Sequence, residues 1–152
     1  MSKISPGAQQ AVDRIASECA LRDTRILNRC ITQWYEDALR PMGLRSTQLT
    51  LLVAVGKIGP IRPADLAPAL AMEKSTLSRN TERLLENGWL KSTATDDARS
   101  QLLALSPAGG RLLEKALPRW EIAQDLARQA LSAGGMASLA KLSRKAQRAL
   151  QS

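Results

Sequence analysis

The chain is 152 residues long and 44% hydrophobic, and it carries 22 Lys and Arg against 14 Asp and Glu, a formal charge of +8. This length and apolar content suit one compact protomer and exclude a disordered chain; with three Trp, one Tyr and no Phe, the core falls to Leu, Ala, Ile and Val, which favours helices. There is no histidine and there are only two cysteines, which removes Ser-His triads, His-ligated metals and structural zinc, and no Gly-rich phosphate loop follows a strand, so neither an enzyme nor a cofactor is expected.

A helical pattern runs from about Pro6 to Leu39, where Ile15, Cys19, Arg22, Ile26, Cys30 and Trp34 recur at spacings of three and four. Lys3, Asp13, Arg14 and Glu18 leave no apolar run for a signal peptide, and the longest such run, Leu49 to Val55, is too short to span a bilayer. A cytoplasmic protein with no membrane partner is expected. Pro41 and Gly43 end the first helix, and Ser46 is the expected N-cap of a second, with Leu49, Leu52 and Val53 as its buried stripe and Gly56 and Gly59-Pro60 at its close. Pro63 starts a third helix containing Leu66 and Leu70, which Pro68 should distort or shorten; a fourth runs from about Lys74 to Asn87. Trp89 to Thr95 and Gln101 to Leu105 pair as an antiparallel hairpin around a polar tip. Ser106-Pro107 opens a fifth helix reaching about Leu131 with a kink at Pro118, and Gly134-Gly135 separates it from a sixth, Met136 to Leu150.

Two short helices followed by a hairpin, over residues 60–107, make the layout of a winged helix-turn-helix, a module that reads double-stranded DNA. The expected fold is mostly α with a small β wing: six helices plus a two-stranded antiparallel hairpin. Residues 1–42 would form an N-terminal dimerisation helix, 43–107 the winged helix-turn-helix and 108–152 the C-terminal dimerisation helices. Leu112, Leu113, Ala116, Leu117 and Trp120, with Leu139, Leu142 and Leu150, supply apolar stripes suited to a two-fold homodimer, which reads two half-sites about one helical turn apart.

Net charge does not carry the DNA argument. Arg62, Lys74, Arg79, Arg83, Lys91 and Arg99 are balanced within residues 60–107 by Asp65, Glu73, Glu82, Glu86, Asp96 and Asp97, so placement has to. On the fourth helix Leu77, Thr81, Leu84 and Leu85 fall on one side, and Ser75, Thr76, Arg79 and Arg83 fall largely on the other. Short hydroxyls at a helix start allow close approach to phosphates and base edges, and Arg79 one turn in reaches a guanine bidentately. Glu82 and Glu86 share that exposed side and favour a competing reading, a winged helix used to bind another protein. At the hairpin tip Asp97 would position Arg99 for the narrow, electronegative minor groove, while Arg62 and Lys74, at helix starts, would hold phosphates and fix register.

Ser75-Thr76-Leu77-Ser78-Arg79, Arg83-Leu84, Asn87-Gly88-Trp89-Leu90, Asp97-Ala98-Arg99-Ser100 and Leu105-Ser106-Pro107-Ala108-Gly109, preceded by Gly43-Leu44 and Gln48-Leu49, resemble the MarR family of bacterial transcription regulators in order and spacing. The resemblance implies a dimeric winged helix protein, usually a repressor, released by a small molecule that is often aromatic or phenolic, or by oxidation. Position by position it implies major-groove or phosphate contacts by Ser75, Thr76, Ser78, Arg79 and Arg83, with Arg99 in the minor groove. Two departures stand out: Pro68 is unusual before the recognition helix, and Ala98 replaces the basic residue that commonly precedes the wing arginine.

Family pockets lie between the dimer helices and the DNA module, where Arg25, Trp34, Tyr35 and Trp120 would offer a carboxylate partner and aromatic walls. Some members sense peroxide through a cysteine near the start of the first helix, which brings in Cys19 and Cys30. On one helix these two are about 16 Å apart and cannot bridge, leaving an intersubunit disulfide as the open route. Of the tyrosines that complete such a site only Tyr35 has a counterpart, Ser46 stands at another's position, and Cys19 falls about two residues early. Both cysteines are therefore expected as small buried apolar residues.

Overall fold

The computed structural model describes residues 4–94 and 101–150. The chain divides between Gln33 and Trp34 into two compact units. The first holds α1 (Pro6–Glu18) and the opening turns of α2 (Ala20–Leu39). The second holds the end of α2, a 3-10 turn over Arg40–Met42, α3 (Ser46–Ile58), α4 (Pro63–Ala69), α5 (Lys74–Glu86), β1 (Leu90–Ala94), β2 (Gln101–Leu105) and α6 (Pro107–Ala149).

The six α-helices among the described residues are not the six expected from periodicity. The first expected helix is two, because Cys19 is extended, with φ −78° and ψ 95°. No Pro or Gly marks this break, and the Arg22 guanidinium compensates for it locally by donating to the carbonyl of Ala16. The expected fifth and sixth helices run on as α6, whose one non-helical residue is Ser132 (φ 60°, ψ 169°), two positions before the expected Gly134-Gly135 break. Ser132 Oγ accepts from the Gly135 N–H at 3.3 Å, as an N-cap does. Pro118 was expected to kink the helix, yet its backbone remains helical.

The core of the second unit is aliphatic: Leu39, Leu44, Leu49, Leu51, Leu52, Val55, Leu66, Leu77, Leu84, Leu90 and Leu103 are all buried. α3 is nearly all-round apolar and packs against α5, α6 and β2. Its buried residues include Leu51 and Val55, whereas Val53, expected inside, is exposed. Ser46 is not the cap but the first helical residue. Glu36 accepts from both its N–H (2.8 Å) and its hydroxyl (2.6 Å), and Gln48 Oε1 accepts from the Arg45 N–H at 3.0 Å. A carboxylate at a helix N-terminus also suits the dipole there.

β1 and β2 pair antiparallel from Leu90 opposite Leu105 to Ala94 opposite Gln101. Ile61 adds one bridge on the far side of β2, exchanging hydrogen bonds with Leu103 at 2.9 and 3.0 Å. Much of the apolar stripe expected at a dimer interface is used within the chain: Ala116 is buried in this core, and Leu112, Leu113 and Trp120 pack against it. Leu117, Ile122, Leu126, Leu142 and Leu150 are exposed. No helix among the described residues is long and apolar enough to cross a membrane.

Candidate nucleic-acid interface

α5 is oriented by what it buries. Leu77, Thr81 and Leu84, at spacings of four and three, face the core, so the opposite side faces solvent along the whole helix. Ser75, Ser78, Arg79, Glu82 and Arg83 are exposed, and Thr76 is half-buried. Asn80 Nδ2 donates to the Thr76 carbonyl at 2.8 Å, and Ser78 Oγ donates to Glu82 Oε1 at 3.1 Å. Lys74 is the first helical residue of α5, and Arg62 is the N-cap of α4; both are exposed. None of Arg62, Lys74, Arg79 and Arg83 takes part in an ion pair among the described residues. Cationic groups held on a rigid frame and left unpaired among the described residues are what phosphate and guanine recognition needs. Asp97 and Arg99, the wing-tip candidates, lie outside the described residues.

The turn between α4 and α5 sets the angle of this face. Pro68 shortens α4 as expected, to seven residues, because proline has no N–H for the ladder. The helix then closes through Met72 N–H to the Ala67 carbonyl (2.9 Å) and Ala71 N–H to the Pro68 carbonyl (3.3 Å), with Ala71 at φ 49°. This is the Schellman closure, with alanine at the left-handed position that glycine usually takes, at a cost of about 1 kcal/mol. Gln147, near the end of α6, donates from Nε2 to the Ala69 and Pro68 carbonyls at 3.0 and 3.3 Å.

At its other end α5 closes by the same motif with Gly88 at φ 68°, and Trp89 N–H reaches the Leu84 carbonyl at 2.9 Å. The Trp89 carbonyl then accepts from the Ser106 N–H at 3.1 Å, and Ser106 Oγ caps α6 by accepting from the Gly109 N–H at 3.0 Å. A Cβ placed on Gly109 would stand 2.1 Å from the Trp89 oxygen. The recognition helix, the wing and α6 are therefore locked at one point, and only glycine fits it.

The remaining candidates lie outside α5. Tyr35 donates to Gln124 Oε1, and burial raises its phenol pKa, with Arg128 pulling the other way. Trp34 and Trp120 are half-buried, and Arg25 is exposed on α2. Cys30 is exposed rather than buried, and Cys19, half-buried, sits in the break between α1 and α2, so no single helix carries both. Sequence reasoning also passed over Glu36, Ala71 and Gln147. A carboxylate ten residues before a helix start leaves no local signature, and neither does an amide partnered across the fold.

The sequence model of the MarR family matches residues 44–100, from the start of α3 into the wing. The chain is 30% identical to the multiple antibiotic resistance protein MarR of Salmonella typhimurium over 110 residues, 70% of this chain and 76% of that protein. It is 31% identical over 87 residues to an uncharacterized HTH-type transcriptional regulator, YwoH, of Bacillus subtilis, covering 57% of this chain but just 64% of that one. Among solved structures, the Mycobacterium tuberculosis regulator MosR in complex with DNA superposes with a TM-score of 0.75 at 30% identity, over 88% of this chain and 97% of that one. These relatives are transcriptional regulators, not enzymes. With the helix-turn-helix, the wing strands and the buried stripe of α5 all in place, the chain belongs to the MarR family of winged helix transcription regulators.

Proposed function

We propose that the chain is a homodimeric repressor that binds an inverted-repeat operator, with α5 in the major groove and the wing against the minor groove. The observation that supports this best is the face of α5. Its apolar side is fully occupied, and its other side presents Ser75, Ser78, Arg79 and Arg83 on a frame shared with a regulator solved on DNA. In this reading Arg79 reads guanine, Ser75, Thr76, Ser78 and Arg83 contact bases or phosphates nearby, and Arg62 and Lys74 anchor the backbone. Asp97 and Arg99 would serve the wing. Residues 1–42 and 108–152 would supply the dimer helices, and two linked heads turn a weak single-site affinity into a strong one. A small aromatic or phenolic effector, received near Trp34, Tyr35 and Trp120, would release the operator.

Selection of the purified protein on a randomised duplex library, with Arg79→Ala in parallel, tests the reading. An enriched inverted repeat, weakened about tenfold or more per half-site in Arg79→Ala, supports it. Equal, salt-sensitive binding by both proteins, with no enriched motif, would replace it with a winged helix that binds protein. Oxidation is the alternative trigger, favoured by the exposure of Cys30. Unchanged peroxide response in Cys19→Ser and Cys30→Ser would remove it.

A further inference from the structure

A carboxylate stands in the middle of the surface that should meet a polyanion. Counting about 100° per residue from the buried stripe Leu77–Thr81–Leu84, Ser75, Arg79, Glu82 and Glu86 lie closest to the opposite pole of α5. Glu82 is exposed, and Arg79 and Arg83 are three residues before it and one after. Among the described residues it nevertheless makes no ion pair, and its hydrogen-bond partner is the hydroxyl of Ser78, at 3.1 Å. Among the described residues the charge is therefore held in place without being neutralised, and no hydrogen bond there reaches its second carboxylate oxygen.

In a DNA groove such a group is repelled by phosphates and loses its water, which is unfavourable unless it finds a donor. The major groove offers two: the N6 amino group of adenine and the N4 amino group of cytosine. Adenine's donor lies between two acceptors, its own N7 and the O4 of the paired thymine. Cytosine's has an acceptor on one side only, the O6 of the paired guanine, and that oxygen is the one a guanine-reading arginine covers. Arg79 and Glu82 are separated by about 4.5 Å along the helix axis, against a base-pair rise of about 3.4 Å, so their tips address the same or adjacent pairs.

We infer that Glu82 is a specificity-determining residue that accepts a hydrogen bond from the N4 amino group of a cytosine, in the same pair as the guanine read by Arg79 or the pair beside it, with Ser78 as its positioning residue. The inference rests on the operator-reading function proposed above. It also accounts for the neutrality of residues 60–107: part of the acidic charge is spent on discrimination rather than left as a solvated face.

Randomised-duplex selection with the full chain, comparing wild type with Glu82→Gln, Glu82→Ala and Ser78→Ala, tests it. Glu82 is exposed, so these variants leave the core intact. The wild-type motif should contain a cytosine column next to the Arg79-dependent guanine, or a G·C pair whose discrimination falls only part-way in Arg79→Ala. Glu82→Ala should lose about tenfold discrimination at that column alone, Glu82→Gln should move its preference toward adenine, which matches an amide, and Ser78→Ala should weaken the column less than Glu82→Ala. A wild-type motif reproduced unchanged in every column by Glu82→Ala and Glu82→Gln would overturn the inference while leaving operator reading in place. A uniform gain of affinity for all duplexes in those variants would also overturn it, making Glu82 a merely repulsive charge. No wild-type motif at all would overturn both this inference and the function it rests on.

Discussion

α1 and α5 are both 13 residues long and both amphipathic, yet they differ in what their apolar faces meet. α5 buries Leu77, Thr81 and Leu84 in the core of its own chain. α1 buries nothing, and its Val12 and Ile15 remain 52% and 66% exposed. An apolar stripe filled from within fixes which side of a helix is free for function, so the chemistry of α5 can be read residue by residue. An unfilled stripe says only that a partner is needed, and in the homodimer proposed above that partner is a second copy. Four tests would break or sharpen this contrast.

The largest effect is expected where the α5 side is locked. Gly109→Ala would drive a methyl into the Trp89 carbonyl, a backbone atom fixed by Ser106 and by the end of α5. α6 and the wing cannot move apart here without losing the Ser106 bond to the Trp89 carbonyl, so the cost should reach about 3 kcal/mol or more. Denaturant unfolding would measure it, and a loss below about 1 kcal/mol would show that α6 and the wing can slide apart.

Next comes the unfilled side. A double change of Val12→Asp and Ile15→Asp removes two apolar side chains from the proposed dimer interface, each contributing about 1.5–3 kcal/mol when buried, and adds two like charges. Light scattering should fall to the 16.5 kDa protomer while helix content holds. Affinity for an inverted repeat should then drop by about two orders of magnitude or more, because the two heads are no longer linked. An unchanged mass would mean that α1 is covered by something else.

A smaller and opposite effect is expected inside α5. The hydroxyl of Thr81 is buried among leucines with no partner among the described residues. Thr81→Val keeps the shape and removes the unsatisfied group, so stability should rise by about 1 kcal/mol. Thermal melts would report it. The operator preference should not change, since Thr81 lies on the side of α5 turned away from solvent.

The same contrast explains which features the sequence made legible. The stripe of α5 and the pairing of Leu90–Ala94 with Gln101–Leu105 were readable because periodicity and partner lie within some twenty residues of each other. The division of α1 from α2 was not, because Cys19 is neither a helix breaker nor a capping residue and the compensating contact is the long reach of Arg22. The shift of the α6 break from Gly134-Gly135 to Ser132 has a similar source: glycine permits a break, whereas a capping hydroxyl decides where it falls. Leu112, Leu113, Ala116 and Trp120 pointed to a dimer because a stripe looks alike whether its partner is the same chain or another. Among candidate site residues, α5 gathers those whose roles follow from one helix face, while Trp34, Tyr35 and Trp120 depend on packing that no local pattern encodes.

Tyr35 offers the finest test, because it is the chain's one tyrosine and tyrosinate absorbance therefore reports it alone. Burial raises its pKa above the ordinary 10.0 despite Arg128, and its hydroxyl donates to Gln124. A folded-state pKa above the unfolded value means that unfolding favours deprotonation. The associated stability is thus complete below about pH 10 and is lost as pH rises through the folded value. Native protein should titrate above 10.0 and denatured protein near it, and Gln124→Ala should bring the two midpoints closer by opening the phenol to water and so relieving the burial that raises its pKa. Tyr35→Phe should flatten the alkaline decline in stability without altering the neutral-pH fold. Should the native midpoint coincide with the denatured one, the attraction of Arg128 would offset the burial in full, and Tyr35→Phe would leave the alkaline decline in stability unchanged.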